Sequence, residues 1–329
     1  HNTAIGYESM DQNTDGTNNT AVGSLTLDAN TSGTHNTAVG QSVLGANTTG
    51  SDNTAVGANS LDANTTGSDN VAIGKNALGA QTTASQNIAI GDNALVSSQT
   101  GSTALAIGYA AADAWTGSYS IFAIGHNALT ACTTGVNNTA VGRNSMAALT
   151  TSSENTAIGN MTMQASTTAA NCTAVGSNAL YTNTTGSNNS AFGQTALYAN
   201  TTGDNNVAVG YGALDANTTA NNNTAVGLNA LGANTTATGG TAVGNQSLEA
   251  NTTGNYNTAV GMQSLESNQT GTDNVAIGYY AMQANLASNN TAVGRRALAA
   301  NTTGANNTAV GNNALDANTT ANNLTAIGF

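Results

Sequence analysis

The sequence predicts an all-β fold, a parallel β-roll or β-solenoid of about 19 coils with 17 residues in each coil. A 17-residue repeat runs from Asn2 to Gly328, with a slip of one residue between Gly278 and Gly294. Every copy contains a short run rich in β-branched residues, and the chain has no proline that would interrupt a β-ladder. We therefore expect a single solenoid domain over residues 1–329, with irregular coils over 81–170.

The copy from Asn53 to Asp69 is the clearest, and it defines repeat positions 1 to 17 as they are used below. Positions 2 to 4, which are Thr54, Ala55 and Val56 in this copy, form the predicted strand. Position 3 is Ala and position 5 is Gly in all twenty copies, whereas position 4 is Val or Ile except at Phe192. Because alternate residues of a strand face opposite sides, the Ala/Gly side and the Val/Ile side are different faces.

The invariant small residues predict a face that is pressed against other protein, or a glycine backbone angle that is closed to other residues. We expect this close-packing face to form the trimer contact, and it is represented by Ala55, Gly57, Ala72, Gly74, Ala140 and Gly142. The coil lumen is predicted to hold Val56, Leu61, Val141 and Leu214. Burying two sizeable apolar side chains per coil stabilises the fold by less than the conformational entropy cost of ordering 17 residues. This shortfall favours a homo-oligomer, and above all a trimer.

The remainder of the repeat predicts a bend and a second short strand. Position 9 is Leu or Met in every full copy except Ala112, and we expect it to point into the coil after a bend at positions 6 to 8. Positions 12 to 16 read Asn-Thr-Thr-Gly-x and predict the second strand, closed by a turn. Stacked on successive coils, the Asn and Thr side chains would form hydrogen-bonded ladders.

Composition narrows the classes of function. The net charge of −12 with only four basic residues argues against a nucleic-acid partner, and no apolar run reaches membrane-spanning length. No catalytic or metal-ligand spacing is present, so we expect no enzymatic activity, no cofactor and no metal site. Cys132 and Cys172 are 40 residues apart, more than two coils, so they should not form a disulfide within the chain.

The signature Asn-Thr-Ala-Val-Gly-x-x-Ala-Leu, with its core Ala55-Val56-Gly57, resembles the head repeat of YadA-type trimeric autotransporter adhesins. It is also similar to repeats of phage tail-fibre proteins, and the resemblance covers essentially the whole chain. It implies a left-handed roll, three chains around one axis, and an extracellular position on a cell surface or a virion tail fibre. The implied partners are a host surface receptor, a matrix protein or a glycan. The adhesin repeat is shorter than 17 residues.

The middle of the chain departs most from the repeat. Position 12 loses its Asn from Gln81 to Ser166 and regains it at Asn183. Four aromatic residues lie in the same region: Tyr109, Trp115, Tyr119 and Phe122. They predict either an attachment surface for a receptor or glycan, or an apolar ladder that replaces the polar one inside the core.

These observations favour a non-enzymatic structural and adhesive fibre segment, a rigid trimeric rod for surface or host attachment. The main alternative is an extracellular filament subunit that stacks end to end, because both termini read as ordinary coils without polar caps. The regular Thr residues leave open an ice-binding solenoid. Glu249 and Glu266, at position 10 of adjacent coils, leave open a glycan-degrading tail spike.

Overall fold

The protein is all-β in a computed structural model that describes residues 1–118 and 120–329. The chain forms two compact units, His1–Thr168 and Ala169–Phe329. Each unit is a β-solenoid in which one 17-residue repeat makes one coil, with about 19 coils in the two units together. The fold class predicted from the sequence is thereby confirmed.

Each unit contains ten parallel strands of three or four residues. In the first unit they are β1 (Thr3–Ile5), β2 (Thr20–Val22), β3 (Thr37–Val39), β4 (Thr54–Val56), β5 (Val71–Ile73), β6 (Ile88–Ile90), β7 (Leu105–Ile107), β8 (Ile121–Ile124), β9 (Asn138–Val141) and β10 (Thr156–Ile158). In the second unit they are β11 (Thr173–Val175), β12 (Ser190–Phe192), β13 (Val207–Val209), β14 (Thr224–Val226), β15 (Thr241–Val243), β16 (Thr258–Val260), β17 (Val275–Ile277), β18 (Thr291–Val293), β19 (Thr308–Val310) and β20 (Thr325–Ile327).

Within each unit, every strand pairs with the equivalent strand of the next coil. Ala55 of β4 lies opposite Ala72 of β5, and Ala225 of β14 lies opposite Ala242 of β15. Each repeat position therefore stacks on the same position of the next coil. For this reason each position accepts the same kinds of residue in all copies of the repeat. The slip in the sequence removes one loop residue before β18, and Val275 still pairs with Thr291.

The predicted second strand is absent from the described residues, which have one strand per coil. Positions 12 to 16 form bends, although their backbones still hydrogen-bond between coils, as from the Thr65 amide to the Thr82 carbonyl. The predicted side-chain ladders are present in these bends. Asn64 donates to Asn47 Oδ1 at 2.9 Å, and the Thr48 hydroxyl donates to the Thr65 carbonyl at 3.0 Å.

Position 9 turns the coil as well as filling it. Leu61 is fully buried and has φ of 49°, and all nineteen residues at this position have positive φ. A β-branched side chain fits this left-handed conformation poorly. That explains why position 9 is Leu, Met or Ala and never Val or Ile, although both are frequent at position 4.

Position 5 is glycine for two reasons that lie within the chain. Gly74 has φ of +131°, a conformation that L side chains rarely adopt. A Cβ atom there would lie 2.5 Å from the carbonyl carbon of Gly91 in the next coil, closer than any real contact. The same conformation and the same close approach recur along the repeat, so glycine is required by the backbone of each coil and its neighbour.

Candidate interaction surface

The outer face of the sheet, defined as positions 17, 2, 4 and 6, repeats on every coil of each unit. Side chains alternate along the strand, so positions 1 and 3 point into the coil while these four point out. In the coil of β5, Asp69 and Lys75 are exposed at the two edges, and Val71 and Ile73 lie between them. The extended part, the strand of three or four residues, spans about 10 Å.

Position 4 forms a continuous apolar row along the outer face of each unit. None of its twenty side chains is buried, and Phe192 is the largest of them. Position 2 adds exposed apolar groups at intervals, including Ile88, Phe122 and Val207. Neither position carries a charged residue in any copy. An uncharged apolar row of this regularity is the kind of surface that proteins cover.

The structure corrects the predicted lumen. Leu61 and Leu214 are fully buried there, as expected. Val56 is instead 37% exposed and Val141 is partly exposed, so neither belongs to the lumen. The valine side of the strand is the outside of the coil.

The predicted close-packing face is likewise inside its own coil. The alanines Ala55, Ala72 and Ala140 have no exposed surface, so they have none to offer to a second chain. The glycines Gly57, Gly74 and Gly142 are small because the backbone of the next coil approaches them. Small residues are therefore required by the narrow lumen and by coil stacking, and on this side the strand leaves no surface for a partner.

The four aromatic residues of the predicted attachment surface do not form one patch. Trp115 is fully buried, and its indole nitrogen donates to the carbonyl of Gly135 at 3.3 Å. Tyr109 is exposed at position 6 and stacks on His126 with ring centroids 5.1 Å apart. Phe122 is exposed at position 2, and Tyr119 lies outside the described residues. Trp115 therefore belongs to the core, in agreement with the second of the two predictions, an apolar ladder that replaces the polar one.

A shallow groove of about 450 Å³ lies beside Phe122 on the outer face. Positions 17, 1 and 2 of three successive coils line it, with Thr103, Leu105, Ser120, Ile121, Phe122, Asn137, Asn138 and Thr139. The hydroxyls of Thr103 and Ser120 are 3.1 Å apart at its edge. The groove is open and mixes hydroxyl groups with apolar surface, so it suits contact with a surface better than enclosure of a small molecule.

The carboxylates of Glu249 and Glu266, the two glutamates at position 10, accept hydrogen bonds from neighbouring side-chain amides. Gln246 donates to Glu249 at 2.8 Å, while Gln263 and Gln283 donate to Glu266 at 2.9 and 2.8 Å. The shallow depression at Glu249 is shared with Asp215, across Gly232. Burial, with a smaller contribution from the charge of Glu249, raises the pKa of Asp215 above its ordinary value.

The thiols and charged side chains show no further cluster. Cys132 and Cys172 form no disulfide with each other, as predicted. Both are buried, and burial raises the pKa of each thiol to about 11. Within the described residues, no three His, Cys, Asp or Glu side chains lie close enough together to hold a metal ion. Over that same part of the chain, the ion pairs comprise one contact of 3.9 Å between His35 and Asp52. Among the described residues, the side chains of Lys75, Arg143, Arg295 and Arg296 form no ion pair, although the Lys75 backbone amide donates to Asp92 Oδ1 at 2.9 Å.

No protein-family model matches the chain, and comparison with curated proteins gives no match. No helix in residues 1–118 and 120–329 has the length and hydrophobicity needed to cross a membrane.

Sequence reasoning missed the outer face because it took invariance as the mark of contact with another chain. The pattern of variation was the better guide: position 2 accepts Thr, Ser, Val, Ile, Leu and Phe, and position 4 accepts Phe192. Such variation in size is compatible with an outer face and incompatible with a lumen of fixed width. The bulky residues of these positions were the signal that could have identified the face.

Proposed function

We propose that the chain is a non-enzymatic segment of an extracellular structural fibre, in which copies associate through their outer faces as a rigid trimer. One observation carries the proposal: every coil presents an uncharged position-4 side chain, none of which is buried. Covering such a row removes apolar surface from water at about 25 cal/mol per Å². Cyclic homo-oligomers are the usual way in which soluble proteins achieve this.

A second copy is the partner that best fits the row. The apolar groups recur once per coil, at the spacing of about 4.8 Å between parallel strands. An identical copy presents the same spacing, so apolar groups can meet along the whole contact. A globular partner would match only a few coils. We favour three copies because the head-repeat resemblance implies three.

Adhesion would use surfaces that self-association leaves free. The side chains of position 14, among them Thr66, Thr202 and Thr253, are exposed and are not among the positions that define the outer face. Repeated many times, weak contacts at such positions would give a receptor, matrix protein or glycan a high combined affinity. Binding of labelled protein to a glycan array and to immobilised collagen measures this part of the proposal. Retention that is lost when the protein is dissociated to monomers supports it, and no retention on either surface contradicts it.

The self-association is tested by sedimentation equilibrium of the unmodified chain and of Val209→Asp/Val243→Asp. We expect a trimer for the former and, for the latter, a dissociation constant at least about a hundredfold higher, because a buried unpaired carboxylate is costly. The matched control is Thr202→Asp/Thr253→Asp, which adds the same charge at exposed position 14. The control should remain trimeric. A stable monomer for the unmodified chain at micromolar concentration would refute the proposal.

A further inference from the structure

Two neighbouring coils of the second unit place a pair of tyrosines beside a pair of arginines. Tyr279 and Tyr280 are the only adjacent aromatic residues in the sequence, and Arg295 and Arg296 are the only adjacent bases. Both pairs occupy repeat positions 6 and 7, the tyrosines after β17 and the arginines after β18. The period also slips by one residue in the coil that carries the tyrosines. These four side chains form the Tyr/Arg patch.

The backbone holds the two pairs side by side. The Arg296 amide donates to the Tyr279 carbonyl at 2.9 Å, and parallel strands of neighbouring coils lie about 4.8 Å apart. The rings of Tyr279 and Tyr280 have centroids 3.9 Å apart and planes tilted by 41°. Tyr279 and both arginines are exposed, and Tyr280 is partly exposed. The patch therefore presents aromatic surface, two hydroxyl groups and two guanidinium groups to solvent.

The two guanidinium groups are not neutralised by a carboxylate of the same unit. Positions 6 and 7 carry no acidic residue in any copy of the second unit. Glu266 is close enough to act electrostatically on Tyr280, but its two oxygens accept hydrogen bonds from Gln263 and Gln283 at 2.9 and 2.8 Å. Among the described residues, no acid lies within ion-pair distance of Arg295 or Arg296. A chain with a net charge of −12 thus carries two adjacent, unpaired positive charges at this patch.

We infer that the Tyr/Arg patch binds an anionic glycan, a sugar chain that carries sulfate or carboxylate groups. Guanidinium groups bind such anions through paired, charge-assisted hydrogen bonds. A tyrosine ring offers a flat apolar face and a hydroxyl group, which match the apolar faces and the hydroxyls of a sugar ring. An acidic polypeptide would need only the arginines, so the tyrosine pair favours a sugar.

The surroundings of the patch fit the same class of ligand. The next coil carries Asn312 and Asn313 at positions 6 and 7, which add uncharged amide groups that can bond sugar hydroxyls. Position 7 is not an outer-face position, so association through the outer face does not require Tyr280 or Arg296 to be covered. The inference rests on the adhesive part of the proposed function and gives it a place and a class of ligand.

The first test removes the charges of the patch. The variant is Arg295→Asn/Arg296→Asn, because the following coil already carries Asn at both positions and the backbone accepts it. The matched control is Lys75→Asn/Arg143→Asn, two position-6 bases that have no tyrosine at positions 6 or 7 of an adjacent coil. Both variants take the net charge from −12 to −14, so they differ only in where the charge is lost.

Binding is measured by biolayer interferometry on immobilised chondroitin sulfate, hyaluronan and dextran, which carry sulfate with carboxylate, carboxylate alone, and no charge. We expect the unmodified chain to bind at least one of the two anionic glycans and not dextran. The Arg295→Asn/Arg296→Asn variant should bind at least about tenfold more weakly, and the control should stay within about threefold of the unmodified chain. Binding to chondroitin sulfate alone identifies sulfate as the recognised group, and binding to hyaluronan shows that carboxylate suffices. Equal binding by the arginine variant and the unmodified chain would overturn the inference and leave adhesion at another surface.

The second test separates a sugar from an acidic polypeptide. Tyr279→Asn/Tyr280→Asn should weaken binding to the anionic glycan at least about threefold and leave binding to immobilised poly-aspartate unchanged. The control is Tyr109→Asn/Tyr211→Asn, which removes two exposed tyrosines at position 6 elsewhere in the chain and should have no effect. A tyrosine variant that binds the glycan as well as this control does, or tighter binding to poly-aspartate than to either glycan, would overturn the inference.

Sedimentation of every variant, carried out in parallel, keeps a change in the number of associated copies from being mistaken for loss of the patch. A chain that binds none of these glycans but is retained on collagen overturns the inference and leaves the adhesive function intact. A chain that is retained on no surface overturns both.

Discussion

The coils with Asn at position 12 and the coils between residues 81 and 170 have the same backbone conformation, but different side chains fill their lumen. In most of the regular coils the Asn donates to the Asn of the preceding coil and to a carbonyl three residues on, as Asn200 does with Asn183 and Gly203. In the irregular coils the same position holds Trp115, Cys132 and Leu149, all fully buried. The lumen therefore accepts either a polar ladder or an apolar filling.

The difference shows at the junctions between the two kinds of coil. Asn64 Oδ1 is buried and has no hydrogen-bond partner among the described residues, because Gln81 in the next coil makes the bond to the carbonyl three residues on, that of Ala84, but not the bond back to Asn64. In the same described part of the chain, Ser98 Oγ and Ser166 Oγ in the irregular coils are also buried without a partner, as is Asn268 Oδ1 beside the one-residue slip of the regular ladder. A polar ladder stabilises only while each member has a donor and an acceptor neighbour, so every interruption leaves an unsatisfied group. An apolar filling has no such requirement.

The largest expected effect is at Trp115, where the comparison predicts that packing carries the stability of the irregular coils. Trp115→Ala should lower the free energy of unfolding by about 3–5 kcal/mol, because the lumen cannot collapse around the cavity. Urea unfolding followed by far-UV circular dichroism measures the loss. Tyr109→Ala removes an exposed ring from the same coil and should cost less than about 1 kcal/mol. Equal midpoints for Trp115→Ala and the unmodified chain would show that the indole is dispensable.

A smaller effect on the free energy of unfolding is expected at position 12, where the regular and irregular coils should respond differently to alanine. Asn200→Ala removes both donor bonds and the acceptor of Asn217, so we expect a loss of about 2 kcal/mol. Ser98→Ala removes a hydroxyl that has no partner and should change stability by less than about 0.5 kcal/mol, or increase it. Both are read from the same urea series. A larger loss for Ser98→Ala than for Asn200→Ala would reverse the comparison.

The smallest effect concerns the thiols. Well below pH 9, which is the ordinary pKa of a thiol, Cys132 and Cys172 are protonated in both the folded and the unfolded chain. Their folded pKa values are about 11, so between pH 9 and 11 the thiolate forms mainly in the unfolded chain, and stability falls as pH rises. The expected loss is on the order of 1 kcal/mol per thiol at pH 10. Cys132→Ala/Cys172→Ala should show a flatter profile of urea midpoint against pH, and an unchanged slope would contradict the assignment.

Much of the fold could be predicted because the repeat contains it many times. The 17-residue period predicted the coil, and the Thr-Ala-Val run predicted the strand, as in Thr54–Val56. The Asn and Leu positions predicted the ladder and the apolar core. The candidate surface was predicted less well. Tyr109 and Phe122 are exposed but Trp115 is not, since aromatic residues close in sequence can lie on opposite sides of a thin coil.

The sequence by itself determined the period, the strand and the division of its residues into two faces, because a strand alternates its side chains. Which face lies inside was decided only by the tertiary structure. The chain curves toward Ala55 and away from Val56 because of the backbone angles that follow the strand, φ of +121° at Gly57 and of 58° and 49° at Asn59 and Leu61. These angles close the coil on the side that the alanine methyls occupy. The alternation of a strand is the same whichever way the chain then turns.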